Sequence, residues 1–116
     1  MPTDEDTTVA ELRRVVADFV RQRDWEQFHD PKNLSMAIAT EAAELMEHFR
    51  WAKNDESCDL VNEPTKRSEI ADELADILAF VLGFANTSDI DLATALRQKM
   101  IKNAEKYPPD QYKGRY

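Results

Sequence analysis

Four carboxylates are spaced so that they can share one ion. Glu41 and Glu44 stand three apart in EAAELMEHFRW, and Glu73 and Asp76 stand three apart in DELADILAF. Residues at i and i+3 lie on one face of a helix. At about 100° per residue, Glu41 projects between Leu34 and Ile38, with Glu44 about 60° aside and next to His48. Glu73 projects between Phe80 and Phe84, and Asp76 falls at the edge of the same apolar arc. A lone ionised carboxylate facing a core costs several kcal/mol, on the order of a whole domain's margin. Arg or Lys partners are scarce, since the helix carrying Glu41 offers only Lys32 and Arg50, at its ends. Converging acids without basic partners call for a divalent cation. Ligands that are all oxygen select hard ions, so Mg2+ comes first, with Mn2+ as a substitute.

Two other readings compete. A di-iron bundle also turns glutamates inward but needs two E-x-x-H units. Only Glu26 with His29 matches, outside the main helices, while Glu44 and His48 are four apart. The second alternative is not an enzyme at all: an acidic helical interaction module whose carboxylate faces meet a basic partner protein. For Asp76 or Glu44 alone a solvated helix flank would suffice, but for Glu41 and Glu73 it would not.

The elements that must carry these residues are helices. Only two glycines occur in the chain, few for a fold of tight turns. Thr8 with Glu11 has the form of a capping box, and Val9, Leu12, Val15, Val16, Phe19 and Val20 repeat at helical spacing, so a first helix is expected over 8–23. RDWEQFHDP breaks the pattern at Pro31. A second helix is expected over 33–50, a polar loop over 52–65 closed by Pro64, and a third helix over 66–86. Asp89 or Asp91 caps a fourth, DLATALRQKMIKNAEKY, ended by Pro108 and Pro109. The last eight residues are expected to be extended or frayed. The third helix is apolar over more than half its circumference, and Gly83 within it suggests close approach of another helix. Such a helix needs neighbours on several sides. The expected fold is therefore an all-α, four-helix bundle protomer assembled as a homodimer or homotetramer.

The chain's 116 residues suit a single domain, 1–116, and its 33% charged and 42% hydrophobic residues are an ordinary globular balance. A formal net charge of -8 argues against a polymeric nucleic acid as partner. Free nucleotides remain open, because a metal ion reconciles two anions. Cys58 is alone, which excludes a disulfide framework. The polar start MPTDEDTT is unlike a targeting peptide, and no apolar run approaches membrane-spanning length, so a cytoplasmic location with no membrane partner is expected. The 52–65 loop is long enough to close over a ligand.

The wider text resembles the MazG-like all-α nucleoside triphosphate pyrophosphohydrolases. E-x-x-E followed by E-x-x-D is that family's metal motif, here Glu41, Glu44, Glu73 and Asp76. RDWEQFHDPKNL before the first pair, HFRW after it and KMIKNAEKYP near the end look like the family's dCTP pyrophosphatase branch. The resemblance covers residues 8–110, the expected ordered core. It implies Mg2+-dependent cleavage of a (deoxy)nucleoside triphosphate, dCTP or a modified pyrimidine, to monophosphate and pyrophosphate, which would cleanse the nucleotide pool. The four acids would hold the metal against the phosphates, and one of them would take a proton from water. Trp25, His29 and Trp51 would wall the base pocket. Lys99 and Asn103, one helical turn apart, would reach the phosphates, with Tyr107 a turn further on. Phe80 stands where that branch often has tyrosine, which removes one hydroxyl near the sugar or phosphates.

Overall fold

The computed structural model describes residues 1–115. Among them are six α-helices and no strand: α1 (Val9–Gln22), α2 (Pro31–Glu47), α3 (Ser57–Asn62), α4 (Pro64–Ser88), α5 (Leu92–Lys106) and α6 (Pro109–Tyr112). Short 3-10 turns occupy Glu26–Phe28 and Asn54–Glu56.

Side-chain caps start the four long helices. Thr8 accepts from the Glu11 amide at 3.1 Å, and Asp30 accepts from Asn33 at 2.8 Å with Pro31 at the first helical position. Glu63 accepts from the amides of Thr65 and Lys66 ahead of α4, and Asp91 accepts from Thr94 at 3.0 Å ahead of α5. Asp24 and Asp89, both at φ 53, take the left-handed conformation that ends α1 and α4.

α4 is the common neighbour. The extensive helix contacts are those of α2, α1 and α3 with it. Leu34 lies against the Gly83 region, Glu41 meets Glu73 and Asp76, and His48 meets Glu69, so α2 runs antiparallel to α4. The buried apolar residues, Val20, Leu34, Ile70, Leu82 and Ala85, all sit on α4 or on the helices flanking it. α5 leaves at 104° to α4. Arg13 of α1 secures that elbow: its guanidinium donates to the Asn86 side chain at 2.9 Å, the Ile90 carbonyl at 2.8 Å and the Ala85 carbonyl at 3.0 Å. Among the described residues no single helix is long and apolar enough to cross a membrane.

Several sequence expectations are corrected. The 52–65 segment is not a plain loop, because Pro64 and the Glu63 cap allow the preceding turn to close as α3. The tail after Pro108 is not simply extended, since Pro109–Tyr112 winds as α6 and sets the Tyr112 ring edge-on to Tyr107 at 5.1 Å. Six helices therefore replace the expected four, although the four long ones match. α2 begins earlier and ends earlier than 33–50, its last turn running out through i to i+3 bonds at His48 and Phe49. Gly83 is buried, yet a Cβ built there would meet its nearest atoms, of Leu34, His29 and Val16, at 3.9–4.0 Å, which is ordinary contact. Close approach does not demand this glycine.

Candidate metal centre and adjoining cavity

The antiparallel pairing of α2 with α4 brings the two acidic pairs face to face. Glu41, Glu73 and Asp76 each offer a carboxylate oxygen within 4.8 Å of the others, a cluster able to hold a metal ion. Glu41 and Glu73 are half-buried, and Glu44 and Asp76 lie on the open side. One oxygen of Glu41 and one of Glu73, the Oε2 atom in each, is buried with no hydrogen-bond partner. Buried polar atoms are rarely left so, and each such orphan needs a reason. Among the described residues no Lys or Arg pairs with any of the four acids. The donor set is oxygen from short acidic chains, which fits a hard divalent cation.

Burial, first, and then the neighbouring Glu44 push the Glu41 and Glu73 carboxyls above their ordinary value. The charges of Asp76 and Glu73 add to this at Glu41, whereas His48 partly opposes it at Glu73.

Next to the cluster lies a cavity of about 320 Å³ with Asp76 at its wall. Trp25, His29 and Phe80 line it. The ring of Trp25 meets Phe19 edge-on at 5.8 Å, and the His29 carbonyl accepts from Thr87 at 3.1 Å. The α1 side chains Val15, Val16 and Phe19 also line it. The sequence marked them only as an apolar repeat at helical spacing, and Val15 is 66% exposed. Their apolar run alternates between two jobs, and only Val20 is buried. A wall and a core have the same periodicity.

The remaining expected site residues are not brought to this cavity within the chain. Trp51, 84% exposed, carries the Arg50 guanidinium over its ring at 4.7 Å. Lys99, Asn103 and Tyr107 share α5 and its end, beyond the elbow, and none of them lines the cavity beside Asp76. Asn103 donates to the Met100 sulfur at 3.6 Å, and Lys106 stands 5.3 Å from the Tyr107 ring centre.

A family profile described as MazG-like matches residues 36–115. Over 101 residues the chain is 38% identical to dCTP pyrophosphatase 1 of Homo sapiens and of Rattus norvegicus, covering 87% of this chain. The chain spans 59% of the length of those relatives. A pyrophosphatase of Archaeoglobus fulgidus, known from its crystal structure, superposes with a TM-score of 0.82 at 32% identity, over 93% of this chain and 99% of that one.

Proposed function

The chain belongs to the MazG-like family, and from that premise we propose that it hydrolyses a (deoxy)nucleoside triphosphate of the dCTP type to the monophosphate and pyrophosphate. The observation that carries this is the pair of orphaned oxygens, Glu41 Oε2 and Glu73 Oε2, buried on facing helices beside Asp76. An acidic docking surface would turn its carboxylates outward; these turn toward each other.

Glu41, Glu44, Glu73 and Asp76 would hold Mg2+, with Mn2+ as substitute. When bound, such an ion would supply charge neutralisation at the phosphates and a more acidic water. The protein keeps the acids converged, and one of the four takes the proton that water loses as the bond between the α and β phosphates is hydrolysed. Trp25, His29 and Phe80 receive the base and sugar in the adjoining cavity. Its polar content is low, so stacking and shape would select the ring more than edge hydrogen bonds would.

The working form is a homodimer or homotetramer of this all-α protomer, with residues 1–116 as one domain. The chain exposes 9472 Å², against about 6,500 Å² for a compact monomer of this mass. Its radius of gyration is 17.1 Å, against about 13 Å. The surplus of about 3,000 Å² is several times what a standard interface removes from each partner. Leu96, Met100 and Ile101 of α5 are exposed and apolar, as such an assembly requires. Trp51, Lys99, Asn103 and Tyr107 serve substrate in that assembled state, outside the cavity of their own chain.

Phosphorus NMR of the products from each common ribo- and deoxyribonucleoside triphosphate tests the reaction. Pyrophosphate appearing with monophosphate, and ceasing on EDTA, is the expected result. Orthophosphate with diphosphate, or turnover indifferent to EDTA, would overturn the reading.

A further inference from the structure

His48 has no part in the reading above, yet it is the one basic side chain that touches the carboxylate cluster among the described residues. Its side chain is 13% exposed, wedged where the end of α2 crosses α4. Both ring nitrogens face acids. Nε2 stands 3.7 Å from Glu73 Oε1, and Nδ1 stands 3.9 Å from Glu69 Oε2. Glu69 Oε2 is in turn 3.4 Å from the Lys66 ammonium. The result is a line of side chains, Lys66 to Glu69 to His48 to Glu73, that ends in the cluster.

The two oxygens of Glu73 are thereby divided. Oε1 is the one that faces the imidazole; Oε2 is the buried atom with no partner. At 3.7 Å the contact with Oε1 is electrostatic and longer than a hydrogen bond. It is nonetheless enough to choose a rotamer. A glutamate has three rotatable bonds, and an ion-ligating carboxylate is only as well aimed as its outer contacts make it.

We propose that His48 is a positioning residue for divalent-metal binding, held by Glu69 and fixing Glu73 so that Oε2 points into the cluster. This rests on the cluster being a metal site. The i, i+4 spacings Glu44 to His48 and Glu69 to Glu73 put the four side chains on facing stripes of α2 and α4.

A rival role makes the opposite prediction. If His48 only screened the acids, removing it would raise their negative field and tighten metal binding. If it aims Glu73, removing it loosens binding despite that stronger field.

The test is Mn2+ titration of the metal-stripped full chain by calorimetry, without nucleotide, for wild type, His48→Leu, His48→Gln and Glu41→Gln. His48→Leu is expected to weaken Mn2+ binding about 10- to 100-fold, and His48→Gln, which keeps a polar N–H group facing Oε1, to recover most of that loss. Wild-type or tighter affinity in His48→Leu, with Glu41→Gln deficient, overturns the role of His48 alone. Wild-type affinity in Glu41→Gln overturns the metal site and this inference with it. Should His48→Leu fail to fold, Glu69→Gln decides instead, because Glu69 is 48% exposed and its loss frees the ring without opening the core. It is expected to weaken Mn2+ binding several-fold, and unchanged affinity overturns the proposal.

Discussion

Arg13 and Asn86 grip each other in both directions. The guanidinium Nε donates to Asn86 Oδ1 at 2.9 Å, and Asn86 Nδ2 donates back to the Arg13 carbonyl at 3.0 Å. The same guanidinium also satisfies two carbonyls at the end of α4. One side chain thus couples α1 to the turn from which α5 departs.

Arg13→Ala should therefore cost more than a surface arginine normally does. Charge-assisted hydrogen bonds contribute about 1.5–3 kcal/mol, and Asn86 and the Ile90 carbonyl would lose their donor, while the Ala85 carbonyl keeps the amides of Asp89 and Ile90. A loss of about 2 kcal/mol is expected in urea unfolding. Because the carboxylate cluster lies away from the elbow, Mn2+ affinity should be unchanged. A mutant as stable as wild type would show that the clamp contributes nothing.

Glu41→Gln separates function from stability. The substitution keeps the shape and removes a buried charge that no Arg or Lys balances. Turnover is expected to fall by more than about 100-fold, the upper end of what losing even an outer-shell contact costs. The metal-free mutant should melt a few degrees higher than metal-free wild type. Retained turnover, with Mg2+ at the same concentration, would remove Glu41 from the site.

The raised carboxyls give the metal-free protein an inverted pH response. Glu41 and Glu73 hold protons in the folded state at a pH where the unfolded chain, near 4.5, has released them. The folded state then binds more protons, so stability falls as pH rises through that window. Asp91, whose carboxyl is held low by its bond to Thr94, acts in the opposite sense, but only below about its ordinary 3.8. In EDTA the melting temperature should be higher at pH 5 than at pH 8. Saturating Mg2+ should remove or reverse that slope, because the ion takes over from the protons. A slope insensitive to Mg2+ would contradict the cluster's role.

Gly83→Ala should stabilise the protein. The glycine sits inside α4 with ordinary helical φ, and an added methyl meets Leu34, His29 and Val16 at 3.9–4.0 Å. Helix propensity favours alanine by about 1 kcal/mol. The melting temperature should rise by a few degrees. A fall would mean that the methyl displaces His29, visible as weaker substrate binding.

The acidic pairs were legible because a charge inside an apolar stripe breaks a strong periodicity, and helical spacing converts that break into direction. Glu41 and Glu73 could be singled out from sequence for this reason. α3 was not legible: NDESCDLVN is polar and short, and its helix depends on Glu63 and Pro64 supplying the stop. The place of Val15 and Phe19 on the cavity was not legible, because a cavity wall and a core face look alike in one dimension. His48 was noticed only as the neighbour of Glu44. Its importance comes from Glu69, 21 positions away, which no local pattern connects to it.

The concentration of the buried side chains around α4 also orders how the molecule opens. Ile70, Leu82 and Ala85 lie on that helix, and Leu34 and Val20 close on it from either side. Amides between Ile70 and Ala85 should therefore exchange with deuterium only through global unfolding, while those of α5 and α6 exchange through local fraying. Glu73 and Asp76 stand in the slow segment. The half of the cluster carried by α4 is thus built on the last part of the backbone to come apart, and it keeps its geometry through every partial opening that the ends of the chain undergo.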